Sequence, residues 1–132
     1  MDNLPDLDSF FTISQEKIDF FWQNGFVVLK NVLDKNEIIA YRDEIKKITL
    51  ERNRNKEKEF GGAFYQALNI RFDSKGVEKF CLSKRLGKIA ADLMRVSTVR
   101  IFHEQAIFKL QGIQNHIGIK INIFGLLIQI YI

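Results

Sequence analysis

From Val99 to Lys109 the chain alternates in a way that an extended strand satisfies and a helix does not. The odd positions are Val99, Ile101, His103, Gln105, Ile107 and Lys109, and the even ones are Arg100, Phe102, Glu104, Ala106 and Phe108. Successive side chains of a strand point to opposite faces, so His103, Gln105 and Lys109 share one face. Polar groups bordered by apolar residues on both faces suit the wall of a pocket. They suit a satisfied polar cluster at a sheet edge equally well, and the strand alone does not choose between the two.

The sequence before this strand is patterned for helices. Thr12, with Gln15 three residues later, has the spacing of a capping box, and Ile18, Phe21 and Trp22 then form one apolar stripe. Asn24-Gly25 ends that helix, because both residues tolerate the left-handed conformation. Phe26-Val27-Val28-Leu29 is an apolar run of strand length. Asp34 and Glu37 cap a second helix reaching about Thr49, with Ile38, Ile39, Tyr41, Ile45 and Ile48 inward. Gly61-Gly62 breaks the chain, and the following FYQALNIRF is a strand or a loop. Residues 75–95 divide into two helical pieces. Ser83 caps the second, whose apolar face is Leu86, Ile89, Ala90 and Leu93.

Composition excludes several classes. A length of 132 residues suits one domain, and 46% hydrophobic with 27% charged residues is the balance of a soluble globular chain. The net charge of +4 comes from bases interspersed with acids, and the run at 51–59, ERNRNKEKE, reads as a solvated helix end or loop. Nucleic acid is therefore not the expected partner. The single cysteine, Cys81, has no internal disulfide partner and lies between apolar residues, which fits a reduced, cytoplasmic protein. The opening MDNLPDLDSFF lacks the basic and apolar regions of a secretory signal.

After Lys109 the composition changes. Residues 111–132 hold eight isoleucines and one charge, Lys120. The apolar run from Ile121 is interrupted by Asn122 and Gln129 and is shorter than the ~20 residues a membrane-spanning helix needs. A strand is the better local reading, and no membrane anchor is expected. Such a strand, without charges to guard it, invites aggregation or non-specific strand pairing.

The order of a helix, FWQNGFVVLKNVLD, a capped helix and then RIFHEQAIFK resembles the N-terminal half of phytanoyl-CoA dioxygenase family proteins, over about residues 13–110. The segment Phe102–Lys109 is the more distinctive part. The resemblance implies an α+β fold: the N-terminal helical part and first strands of a double-stranded β-helix (a jelly-roll, cupin-like fold), incomplete here. It also implies Fe(II), 2-oxoglutarate and a small-molecule substrate in intact relatives, which hydroxylate an unactivated C–H bond. In the family three protein ligands, two His and one carboxylate, hold the iron and leave room for cosubstrate and dioxygen. The first two come as His-x-Asp soon after the Lys109 equivalent. Here His116 is followed by Ile117 and Gly118, and His103 is the only other histidine. No metal ligand or catalytic residue is assigned, and neither Fe(II) nor 2-oxoglutarate is expected to bind this chain. The resemblance places Gln105 nearest the cosubstrate, with His103 and Lys109 as further cofactor-binding candidates; Asn69 and Arg71 are looser ones.

The tail has an account of its own. Residues from Asn115 can be encoded so that the same bases, read from the third, give Pro-His-Trp-His-Gln-Asp-Gln-Tyr-Phe-Trp-Pro-Leu-Asn. That string contains Trp-His-Gln-Asp, closely like the family's metal-binding segment. In a shifted frame the observed residues dictate most of each codon, so this agreement is hard to obtain by chance. Residues 1–110 are accordingly expected to be the N-terminal portion of a dioxygenase-like domain, and 111–132 an out-of-frame, isoleucine-rich tail. The competing expectation is a non-catalytic interaction module in which 111–132 is ordered. A basic nucleic-acid binder is a third, and no recognised motif supports it.

Overall fold

The computed structural model describes residues 3–54, 65–108, 117–123 and 126–131. Helix α1 spans Gln15–Asn24 and begins one turn's fraction later than Thr12 predicts. Ser14 is the N-cap: its backbone is extended, its hydroxyl accepts the Lys17 N–H, and its carbonyl accepts from Lys17 and Ile18. The buried Ile13 and half-buried Ile18 have the spacing of a hydrophobic staple, which favours this start. Gly25 closes the helix as expected, with φ 79° and its N–H donated to the Phe21 carbonyl. A side chain there would be strained.

Residues 26–29 are not part of the sheet, which corrects the strand expected there. The segment does alternate as a strand does: Val27 and Leu29 pack on the core, while Phe26 and Val28 are exposed. What it lacks among the described residues is a ladder partner, which no local pattern can supply.

Helix α2 spans Lys35–Arg52 and carries the full capping box, with Asp34 accepting from Asn36 and Glu37 and the Glu37 carboxylate accepting from the Asp34 N–H. Tyr41, Ile45 and Ile48 are buried as expected; Ile38 is half-buried and Ile39 is exposed. The charged run after Arg54 lies largely outside the described residues. Strand β1 (Tyr65–Leu68) follows, then a 3-10 turn at Ile70–Phe72, helix α3 (Lys75–Cys81) and helix α4 (Lys84–Met94).

Ser83 occupies the N-cap of α4 but makes no side-chain cap bond, and its buried Oγ has no partner among the described residues. The Leu7 carbonyl takes the Arg85 N–H at 3.1 Å instead. The cap is thus supplied by the N-terminal arm, some distance away in sequence. Leu86, Ile89, Ala90 and Leu93 are all buried, as their spacing requires.

Strands β2 (Ile101–Phe108), β3 (Ile117–Ile123) and β4 (Leu126–Tyr131) complete an antiparallel sheet in the order β1-β2-β3-β4. The chain is therefore α+β. Helix α2 packs against β1 and β2, and α4 approaches β4. Ala67 and Ala106 are cross-strand partners, both buried, and their small size lets the helical layer come close. The Tyr41 and Phe80 rings, both buried in this layer, meet at a 47° tilt with their centres 4.9 Å apart. Gly76 is closely approached: a Cβ would lie 2.5 Å from Leu4 Cδ1 and 2.9 Å from Glu44 Cγ, so a side chain there would require both to shift. No helix among the described residues is long and apolar enough to cross a membrane.

The arm is fastened by Tyr41, whose hydroxyl donates to the Pro5 carbonyl at 2.5 Å. Burial pushes the Tyr41 phenol up to about 12 from its ordinary value of 10.0, the Asp6 and Glu37 carboxylates add to this, and Arg85 opposes it. Because the folded pKa is raised, the stability it contributes is complete below pH 10 and is lost as pH rises through about 12. Alkaline urea titrations should show stability falling across that interval in the native chain, and Tyr41→Phe should flatten the slope. An unchanged slope in the variant would place the alkaline sensitivity elsewhere.

Candidate functional site

The geometry of β2 divides the sheet into two chemically different sides. On one, Glu104 and Ala106 are fully buried beneath the helices. On the other, His103, Gln105 and Ile107 are half-buried, beside Gln66 and Leu68 of β1, which are exposed, whereas Ile101, across a register shift in the β2–β3 pairing, packs on the core. The register explains this directly: Gln105 is opposite Leu68 and Ile107 opposite Gln66, whereas Ala106 is opposite Ala67.

A fully buried carboxylate needs partners, and Glu104 has them. Its Oε1 accepts the Arg71 backbone N–H at 2.9 Å, and its Oε2 pairs with the Arg71 guanidinium. The same guanidinium donates to Asn69 Oδ1 at 2.9 Å and lies 4.3 Å from the Phe72 ring centre. Asn69 adopts the left-handed conformation, φ 56°, and donates its N–H to the Glu104 carbonyl. The looser candidates Asn69 and Arg71 are therefore brought together, but around Glu104 on the helical side. Their arrangement is that of a turn fixed onto a strand. Cys81 belongs to the same side: burial holds its thiol well above the usual range, the Glu104 carboxylate adds to this, and Arg71 opposes it.

On the open side, Gln105 Nε2 donates to Gln66 Oε1 at 3.2 Å, and the His103 ring meets the Phe102 ring edge at 5.0 Å. In β3, Lys120 is the register partner of Gln105 and Asn122 that of His103. His103 and Gln105 thus share a face as expected, while Lys109 lies outside the described residues. Two amides supply N–H donors, which a carboxylate-bearing small molecule, itself an acceptor, requires.

Among the described residues no group of three or more His, Cys, Asp or Glu side chains is placed to hold a metal ion, and His103 is their only histidine. These residues do not fit the two-His, one-carboxylate set that Fe(II) takes in the family. A shallow depression of about 570 Å3 lies elsewhere, beside Asn31, Lys35, Ile39 and Arg42, and none of the candidate residues borders it.

The sequence reading missed Glu104. Its signal was present: a lone acid between Phe102, Ala106 and Phe108 on one strand face must be paired if that face is covered. No known protein family, curated protein or solved structure was found to match the chain.

Removing Glu104 strands a guanidinium that is 11% exposed, so Glu104→Ala should cost about 3–5 kcal/mol in urea denaturation. Gln105→Ala, on the open side, should cost roughly 0.5 kcal/mol. Equal losses at the two positions would contradict the assignment of faces.

Proposed function

We propose that the chain is the N-terminal portion of an Fe(II)/2-oxoglutarate dioxygenase of the phytanoyl-CoA dioxygenase kind, lacking its metal ligands and catalytically incompetent as it stands. The supporting observation is the division of the sheet. Helices cover the Glu104 and Ala106 side, and Gln66, His103 and Gln105 line the other. A jelly roll extended from this sheet would take the uncovered side as its interior, where small ligands bind. Gln105 and His103 would then line the cosubstrate site, with Lys109 further along the same strand. The incompetence follows from the residues themselves, since the 132 contain two histidines and no His-x-Asp.

The purified chain should neither bind Fe(II) tightly nor release succinate from 2-oxoglutarate. Stoichiometric iron with succinate production would overturn the proposal. Shifting the coding frame near Leu110 should introduce His-Gln-Asp and, with the downstream coding sequence, restore iron binding and turnover. In that repaired protein Gln105→Ala should raise the KM for 2-oxoglutarate by about fivefold to 150-fold, the effect of losing ~1–3 kcal/mol of polar contact. A repaired protein without iron would remove the main support for the family.

One observation favours the second reading, a non-catalytic interaction module. Strand β3 (Ile117–Ile123) pairs with β2, and β4 (Leu126–Tyr131) pairs with β3, so both join the sheet instead of standing apart from it. Truncation to residues 1–110 separates the readings. Unchanged thermal stability is expected if the tail is foreign to the fold, and a clear loss if it is native to it.

A further inference from the structure

Helix α2 carries more apolar surface than the core uses. Its inward residues are Tyr41, Ile45 and Ile48, whereas Ile38 is half-buried and Ile39 exposed, and among the described residues neither packs on the core. Lys35, Ile38, Ile39 and Arg42 stand at i, i+3, i+4 and i+7, so they share one helical face, with the isoleucines between the two cations. Asn31 turns the chain beside this face with φ 60°, a conformation asparagine adopts at low cost, and Leu33 completes an apolar floor. These residues line the shallow depression of about 570 Å3, a volume within the ~300–1,000 Å3 of small-molecule sites.

The charge around the depression is unbalanced. The one acid lining it, Asp34, is committed to the helix start, where its Oδ1 accepts the Asn36 and Glu37 N–H groups at 2.8 and 2.9 Å. The neighbouring Glu37 carboxylate is engaged by Arg85 and by the Asp34 N–H. Among the described residues Lys35 makes no ion pair. Arg42 makes one, through Nε to Asp43 at 3.1 Å, and its two terminal nitrogens make no hydrogen bond among the described residues. That pair is exposed on both sides and holds the guanidinium only weakly. An apolar floor between two available cations is complementary to a molecule with an apolar body and an anionic head.

We propose that this depression binds an amphipathic monocarboxylate, its apolar body on Leu33, Ile38 and Ile39 and its carboxylate held by Arg42 and Lys35. A guanidinium with both terminal nitrogens available matches the two oxygens of a carboxylate, and the Lys35 ammonium adds a second positive charge. Lys35 and Arg42 are about 10 Å apart along the helix axis, which leaves room for an alkyl body over the isoleucines. The site lies on α2, away from His103 and Gln105, and the inference is independent of the dioxygenase reading.

Amide chemical-shift mapping on the full chain, titrated with octanoate, tests it. Saturable shifts should centre on Asn31, Lys35, Ile38, Ile39 and Arg42. Acetate, which has the head without the body, and 1-octanol, which has the body without the charge, should each bind about tenfold or more weakly. Lys35→Gln and Arg42→Gln should each weaken octanoate by about fivefold, and the double variant by about twentyfold. Both positions are on the surface, so urea denaturation should be unchanged. Ile39→Asn keeps both cations and should weaken octanoate by about fivefold or more. Octanol binding as tightly as octanoate, shifts centred on other residues, or glutamine variants that bind like the native chain would each overturn the site. So would α2 amides that broaden with protein concentration alone, because a second copy would then cover this face.

Discussion

A single guanidinium joins four segments of this fold. Arg85 is almost fully buried and donates to the Ser9 carbonyl and hydroxyl, the Val32 carbonyl and the Glu37 carboxylate. Glu37 is also half of the α2 capping box, so the charge that fixes the start of α2 is the charge that neutralises Arg85. The Arg85 N–H takes the Leu7 carbonyl, which brings the N-terminal arm onto the start of α4. A buried ion pair stabilises little by itself, because desolvation offsets the attraction. Its effect here is specificity: moving the arm, the segment before α2, α2 or α4 leaves a buried charge without a partner. The arm's apolar anchors, Leu7 and Ile13, then sit against a surface whose geometry is already set.

The second buried pair does for the sheet what Arg85 does for the helices. Glu104 lies under the helical layer only because Arg71 follows β1 in a tight turn that returns to it. This turn requires Asn69 in the left-handed conformation, which asparagine adopts at low cost. With Glu104 fixed inward, period-two alternation forces His103 and Gln105 to the opposite side. The polar character of the candidate site is thus a consequence of the pairing on the other face. A one-residue slip of β2 would bury Gln105 and expose Glu104, breaking both arrangements at once.

How legible each element was depends on whether its cause is local. The Asp34–Glu37 box, the Gly25 stop and the apolar face of α4 are contained within a few residues, and each appears where the spacing puts it. The strand expected at 26–29 has the right side-chain alternation, but a strand is defined by a partner that the segment cannot specify. Ser83 shows the same limit. Its type and position suit a cap, yet the bond is made by Leu7, far away in sequence. The face shared by His103 and Gln105 was legible because alternation is local. That Asn69 and Arg71 serve Glu104 was not, since it depends on β1 and β2 pairing across more than thirty residues.

The isoleucine-rich segment can pair with β2 whatever its coding origin. Ladder hydrogen bonds are made by the backbone, and side chains contribute mainly through fit to a pleated, half-buried surface. β2 without β3 would present an eight-residue edge of unpaired backbone groups. The nearest chain able to satisfy it is the stretch that follows, and alternating isoleucines from Ile117 to Ile123 have the required period. Pairing passes the unsatisfied edge from β2 to β3 and, through the hairpin, to β4. It does not remove it, because an open sheet always ends in an edge and only closure into a barrel or roll abolishes one. A frame continuing into a jelly roll would bury this edge within the fold. Among the described strands the order ends at β4, whose residues LLIQIY include no charge and no proline.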